Sequence, residues 1–221
     1  MTDQARRTYG QLPPIPEYDV DAIAWRSLDR VGWVPHVSRC ALLVHDMQLF
    51  YVDSLPNAAS ERLLRILRHL IEKARALGIP VIYSVAAPSR TVEDRGLLRD
   101  FHGMGMRDDP AHYDVHSAIA PLVGDFIVNK RIYSAFYETG LDSLMRNLDR
   151  NELLITGIYA DIGCQLTAFD AFKRGIKPFY IADAMVAYTE SQHIASAEYV
   201  ARLCAAIYTA NGVMDVLSRQ Q

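Results

Sequence analysis

The sequence predicts an α/β domain in three layers, a doubly wound and mostly parallel sheet with helices on both faces. Short apolar runs recur from residue 40 onward, several ending in a charged or polar residue. Amphipathic helical segments separate them, and this alternation is the signature of successive β-α-β units. With no internal repeat, no low-complexity tract and no shift in composition, the 221 residues read as one compact unit.

Residues 1–38 carry Pro13, Pro14, Pro16 and Pro35 and little apolar periodicity, so an irregular N-terminal arm packed on the domain is expected, with a short helix near 21–28. The domain proper runs over 39–221. Residues 40–45 form a continuous apolar run, as in a strand buried on both faces, and Asp46 stands at its C-terminal end. Over 58–77 the spacing of Leu63, Leu64, Leu67, Leu70, Ile71 and Ala74 predicts a helix that Gly78 stops. A second strand follows at 81–85, and the order implies a right-handed parallel crossover.

Residues 86–123 are the least regular part, broken by Pro88, Gly96, Gly103, Gly105 and Pro110; a loop of that length in a compact domain is often functional. A third strand at 125–129 leads to Lys130. A helix is expected at 140–149, a strand at 152–156, then a tight glycine-bearing turn at 157–164 opening a helix to about 174. Residues 177–182 form the next strand, leading to Asp183. A long helix over 193–210 and a short strand or turn at 213–217 complete the chain.

Composition narrows the function. Half the residues are apolar and 22% are charged, a soluble profile, and the net charge of −3 argues against nucleic acid or an anionic membrane as partner. No apolar run reaches the roughly 20 residues of a membrane span, and the N-terminus lacks a signal-peptide core, so a cytoplasmic location is expected. Cys40, Cys164 and Cys204, odd in number and far apart, suggest free thiols, and no Cys-x-x-Cys pair suggests zinc.

In parallel sheets ligands bind beyond the carboxyl ends of the strands, where Asp46, Lys130 and the 157–164 turn lie. Asp46 suits a proton donor or acceptor. The apolar run before it disfavours a charged carboxylate, and a nearby lysine favours one. An aspartate in that place equally caps a following helix, and a lysine at a strand end equally sits in solvent. His45, alternating with Asp46, is expected on the opposite side of the strand in a hydrogen-bonded structural role. His112 and His116 fall in the long loop, where packing or solvation is expected of them.

The segments Val44-His45-Asp46-Met47-Gln48, Asn129-Lys130-Arg131-Ile132-Tyr133-Ser134-Ala135-Phe136 and Thr156-Gly157-Ile158-Tyr159-Ala160-Asp161-Ile162-Gly163-Cys164, with Thr167-Ala168-Phe169-Asp170-Ala171-Phe172 and Ile176-Lys177-Pro178-Phe179-Tyr180-Ile181-Ala182-Asp183-Ala184, resemble the isochorismatase family. The similarity runs from about residue 10 to about 217. It implies an isochorismatase-like, Rossmann-like fold. The family's amidase members use a cysteine nucleophile with an aspartate and a lysine; here those positions match Gly163, Asp46 and Lys130.

The branch with this pattern hydrolyses the enolpyruvyl ether of isochorismate or 2-amino-2-deoxyisochorismate without metal or organic cofactor, in siderophore or phenazine pathways. The resemblance therefore implies two catalytic residues, Asp46 as general acid and Lys130 binding a substrate carboxylate or the ether-side oxygen. It also implies Phe50, Arg95, Tyr159 and Gly163 as substrate-binding positions, a non-proline cis peptide at Ile158–Tyr159, a small anionic substrate and a homodimer. Arg131 and Tyr133 are candidates for closing the pocket, and surface or core packing would explain them equally well. No carrier domain is expected after residue 221, which favours a diffusible product.

Two departures from the family pattern alter the pocket wall. Ala86 stands where the family has a substrate-touching glutamine, and His102-Gly103-Met104-Gly105 replaces a tryptophan-glycine-proline-glycine segment. Two rival readings are a cysteine amidase using Cys164, though a small buried thiol is expected there, and a non-catalytic member that only binds a ligand.

Overall fold

The computed structural model describes residues 12–220. Its strands are β1 (Cys40–His45), β2 (Val81–Ala86), β3 (Phe126–Lys130), β4 (Glu152–Ile158), β5 (Lys177–Val186) and β6 (Ala206–Tyr208). They form one sheet in the order β3-β2-β1-β4-β5-β6, with every ladder parallel. The longer helices are α2 (Asn57–Ala76), α6 (Leu141–Asn147), α7 (Gln165–Lys173), α8 (Glu190–Leu203) and α9 (Ala210–Ser218); α1 (Leu49–Val52), α3 (Val92–Arg95), α4 (Leu98–His102) and α5 (Pro110–Tyr113) are single turns in the loops above the sheet.

β1 is buried on both faces, so its residues alternate between two cores. Leu42 and Val44 join Leu63, Leu67, Leu70, Val213 and Leu217 of α2 and α9. Ala41 and Leu43 join Leu141, Met145, Ala168, Ala171, Ala197 and Val200 of α6, α7 and α8. The chain leaves β1 toward β2 and β3 on one side and returns as β4 on the other. This reversal opens a crevice at the carboxyl ends of β1 and β4.

The structure departs from the sequence-based expectations at several elements. The segment near 21–28 is two 3₁₀ turns, Val20–Ala22 and Trp25–Leu28. β4 continues to Ile158. β5 continues to Val186, so Asp183 lies within the strand and its Oδ1 accepts the Ala210 N–H (2.6 Å) at the start of α9. The expected long helix over 193–210 ends at Leu203, and β6 takes the apolar residues beyond it. Residues 213–217 belong to helix α9.

Residues 12–38 pack across the β6 edge. Asp29 Oδ1 accepts the Ile207 N–H (2.9 Å) and the Arg26 guanidinium donates to Ile207 O, occupying backbone groups that an edge strand would otherwise present to another chain. The same segment docks on His193: Trp25 lies against the imidazole (4.6 Å between centroids), and the Tyr18 hydroxyl is 3.0 Å from Nδ1. Burial lowers the His193 pKa from 6.5 to about 3. The unfolded chain thus takes up a proton below pH 6.5 that the folded chain does not. Stability from this residue is present above pH 6.5 and is lost, at roughly 1.4 kcal/mol per pH unit, as pH falls toward 3. His193→Gln is expected to flatten the fall of Tm between pH 6.5 and 4; an unchanged slope would remove His193 from the acid response.

Among the described residues, no helix is long and apolar enough to cross a membrane, and no group of three or more His, Cys, Asp or Glu side chains is placed to hold a metal ion. His112 packs on Phe50 (5.7 Å), and His116 Nδ1 accepts the Ala118 N–H (3.2 Å).

Candidate active site

Asp46 follows the last residue of β1 in a left-handed conformation, φ 50°, that non-glycine residues rarely adopt. Its N–H still donates to Ser84 O (2.9 Å) of β2, so the sheet holds its backbone while φ re-aims its side chain. Alternation therefore fails at this residue. His45 and Asp46, expected on opposite sides of the strand, have Nδ1 and Oδ2 only 3.4 Å apart.

Lys130, the last residue of β3, reaches over the β2 end and places Nζ 2.7 Å from Asp46 Oδ2. Both side chains are nearly sealed from solvent, with residue exposures of 6% for Asp46 and 5% for Lys130. Lys130 Nζ also lies 3.4 Å from Ile132 O. Asp46 Oδ1 is buried and has no hydrogen-bond partner among the described residues. One carboxyl oxygen is thus ion-paired and the other is bare. Leaving a buried polar atom without any partner costs about 1–3 kcal/mol, so Oδ1, which lines a cleft, is open to a water molecule or a ligand.

The pair forms part of the wall of a cleft of about 630 Å³, open mouth included, which Phe50, Ala86, Arg95, His102, Tyr159 and Gly163 also line. Every sequence-predicted site residue is therefore in one place. Arg95, at the end of α3, donates from Nε to Gly103 O (2.8 Å), and burial lowers its pKa without threatening its charge. Its guanidinium lies against Gly105, where an added Cβ would come within 2.9 Å of Arg95 Cζ. The ring of Tyr159 stacks on Tyr188 (4.4 Å), just after the cis Ile158–Tyr159 peptide.

The floor is tied by Gln48, 1% exposed. Its amide donates to Ala86 O (3.0 Å) and Tyr113 O (2.8 Å), and its oxygen accepts the Ala86 N–H (2.7 Å).

Gly163 is not in a tight turn. It lies in a π-helical turn, Ala160–Cys164, that runs directly into α7. Cys164 points away from the cleft: it is fully buried, its Sγ is 3.8 Å from Thr156 O, and burial raises its thiol pKa well above the ordinary value. A buried thiol that resists ionisation does not serve as a nucleophile.

Tyr51, Ile162 and Tyr188 also line it, as do Arg131 and Tyr133, the two candidates for closing the pocket. The sequence offered a signal for Tyr188 only through the true end of β5 at Val186, two residues earlier; a strand ending at 182 hides it. Three cationic side chains (Arg95, Lys130 and Arg131), one carboxyl group and aromatic walls in one cleft suit an anionic ring compound that needs a proton.

A family model described as "Isochorismatase domain" matches residues 40–212. The chain belongs to the isochorismatase family. It is similar to the isochorismatase of Bacillus subtilis (strain 168), 37% identical over 208 residues that cover 93% of this chain and 67% of that protein. It is also similar to the phenazine biosynthesis protein PhzD1 of Pseudomonas aeruginosa, 34% identical over 208 residues that cover 92% of this chain and 99% of the relative. In fold it is similar to a cysteine hydrolase from Pseudomonas syringae pv. phaseolicola, with a TM-score of 0.78 at 24% identity over 86% of this chain and 98% of that one. As a member of the isochorismatase family the chain is a hydrolase.

Proposed function

We propose that this hydrolase cleaves the enolpyruvyl ether of isochorismate or 2-amino-2-deoxyisochorismate to pyruvate and a dihydro-hydroxy cyclohexadiene carboxylate. The observation that carries this reading is the bare Asp46 Oδ1 in a cleft where residue 163 has no side chain to attack with. Relatives named isochorismatase and phenazine biosynthesis protein support the choice of substrates.

A vinyl ether needs no acyl-enzyme. Asp46, in its acid form, gives its proton to the terminal methylene carbon, and the ether oxygen stabilises the resulting oxocarbenium ion. Water adds to the adjacent carbon, the cationic one that bears the ether oxygen, and returns a proton to the Asp46 carboxylate, so a hemiketal forms. The hemiketal then breaks its bond to the ring oxygen, which leaves as the ring alcohol, and the other fragment is pyruvate. The net change is addition of one water, and neither metal nor organic cofactor is required.

In this reading Lys130 holds Asp46 Oδ2 and attracts a substrate carboxylate, while the Arg95 fork takes a carboxylate in bidentate fashion. Phe50 and Tyr159 face the ring, and the backbone at Gly163 allows a close approach. The protein is proposed to act as a homodimer in the cytoplasm.

Incubation with each substrate and coupled detection of pyruvate tests the proposal: release from at least one is expected, and release from neither would overturn it. Arg95→Ala is expected to raise KM roughly 10–100-fold, the worth of a charge-assisted hydrogen bond, with a smaller effect on kcat. An unchanged KM would free Arg95 from substrate.

A further inference from the structure

We propose that His45 is a positioning residue that fixes which oxygen of Asp46 delivers the proton, and that residue 163 is glycine because the His45 ring fills the space a side chain there would take. The kinetic half of this inference rests on the vinyl ether reading, and the steric half does not.

The ring is fully buried between the two halves of the sheet. Nδ1 lies 3.0 Å from Ile158 O at the end of β4, and Nε2 lies 3.2 Å from Tyr133 O in the loop after β3. Carbonyls at both edges leave the imidazole no room to swing aside. A Cβ built on Gly163 would come within 2.2 Å of His45 Cε1, 2.9 Å of Nε2 and 3.0 Å of Nδ1. The near atoms belong to a rigid ring wedged in the core, not to a flexible chain end, so they cannot yield cheaply. A nucleophile at 163 and an imidazole at 45 therefore exclude each other. The loss of the cysteine is written at two positions, not one.

The ring also acts on Asp46. Burial favours the neutral imidazole over the opposing pull of the Asp46 charge, while Lys130 adds to the effect of burial. A neutral ring has one N–H to share among three acceptors: Ile158 O, Asp46 Oδ2 and Tyr133 O. Two of them, one a carboxyl oxygen, face Nδ1, and a single carbonyl faces Nε2. The proton therefore sits on Nδ1, donating to Ile158 O with its flank toward Oδ2. Oδ2 then meets two positive partners, Lys130 Nζ at 2.7 Å and the Nδ1–H edge at 3.4 Å. The carboxyl proton is left to Oδ1, the oxygen without a partner.

Asparagine and glutamine separate these roles, because the Asn amide nitrogen falls near the place of Nδ1 and the Gln amide nitrogen near that of Nε2. His45→Asn is expected to keep kcat within about 10-fold of the parent, and His45→Gln to lose on the order of 100-fold with KM little changed. Equal kcat losses per folded site in the two variants, or none in either, would overturn the positioning role. The ¹⁵N shifts of His45 supply a second readout, and an Nε2–H tautomer would also overturn it.

For the steric half, Gly163→Ala is expected to lower Tm by about 5 °C or more in the parent and to cost much less in the His45→Asn background, where no Cε1 remains. Equal losses in both backgrounds would overturn it. If the parent releases no pyruvate, the function proposed above fails, and the Tm cycle and the tautomer still decide the placement of His45.

Discussion

Asp46→Asn is expected to abolish pyruvate release while the protein stays folded and binds its ligand. The side chains are nearly isosteric, so an amide oxygen can still accept from Lys130 across the 2.7 Å gap. An amide has no proton acidic enough to give to carbon. General acid catalysis is commonly worth 10²–10⁴-fold, and protonation of carbon is the demanding step here, so a loss of roughly 10⁴-fold in kcat is expected, about 5 kcal/mol of transition-state stabilisation. Affinity for an unreactive substrate analogue is expected to hold, because the amide keeps the shape of the carboxyl group and Lys130 remains to attract the anion. Coupled pyruvate detection and a calorimetric titration check both halves. Turnover within tenfold of the parent would end the assignment of Asp46 as the acid.

Lys130→Met lowers stability and activity together, for separable reasons. Asp46 and Lys130 are 6% and 5% exposed, so the pair is scarcely screened by solvent. Removing one partner strands the other: breaking a buried pair costs on the order of 3–5 kcal/mol, or about 10 °C in Tm for a chain of this size. Replacing both partners with apolar residues, as in Asp46→Leu with Lys130→Met, is expected to recover most of that Tm because no charge is left buried. Activity does not return with it. In the single variant kcat falls and KM rises, since Lys130 both holds Asp46 and attracts the substrate anion. A fall in kcat with KM unchanged would contradict the anion-attracting role, and a Tm equal to that of the parent would contradict the stranded charge.

Much of this was legible in the chain because local rules and global fold agree. The apolar run of β1 and the leucine stripe of α2 announce their own burial. The site residues carried by the family resemblance converge on one cleft because they stand where strands or loops end on the same side of the sheet.

What escaped did so for specific reasons. Ala205-Ala206-Ile207-Tyr208 continues the apolar character of α8, and periodicity alone does not separate a buried strand from a buried helix segment, so β6 was hidden. Asp183 looked like a strand end because a carboxylate inside a buried strand is unusual; the start of α9, distant in sequence, supplies its partner. His45 was misplaced because the period of two assumes ordinary strand dihedrals, and Asp46 departs from them. Gly163 was read through its backbone freedom. Its φ is not in the left-handed region, and what matters is the ring pressed against its missing Cβ.

The Gln48 amide has a consequence for how such a site can diversify. By gripping Ala86 on one side and Tyr113 on the other, it suspends the stretch that includes Arg95, His102 and Gly105 from two fixed points. The Asp46 backbone is held by the Ser84 carbonyl and its carboxyl group by the lysine at the end of β3. The two supports are joined, since Gln48 stands two residues after Asp46 and Ala86 pairs with Lys130 across β2 and β3. Because Gln48 grips backbone atoms, the side chains at Ala86 and in the His102-Gly103-Met104-Gly105 segment can differ from the family pattern without loosening that grip. A lineage can thus change the wall of the cleft while the frame that carries Asp46 and Lys130 stays as it is.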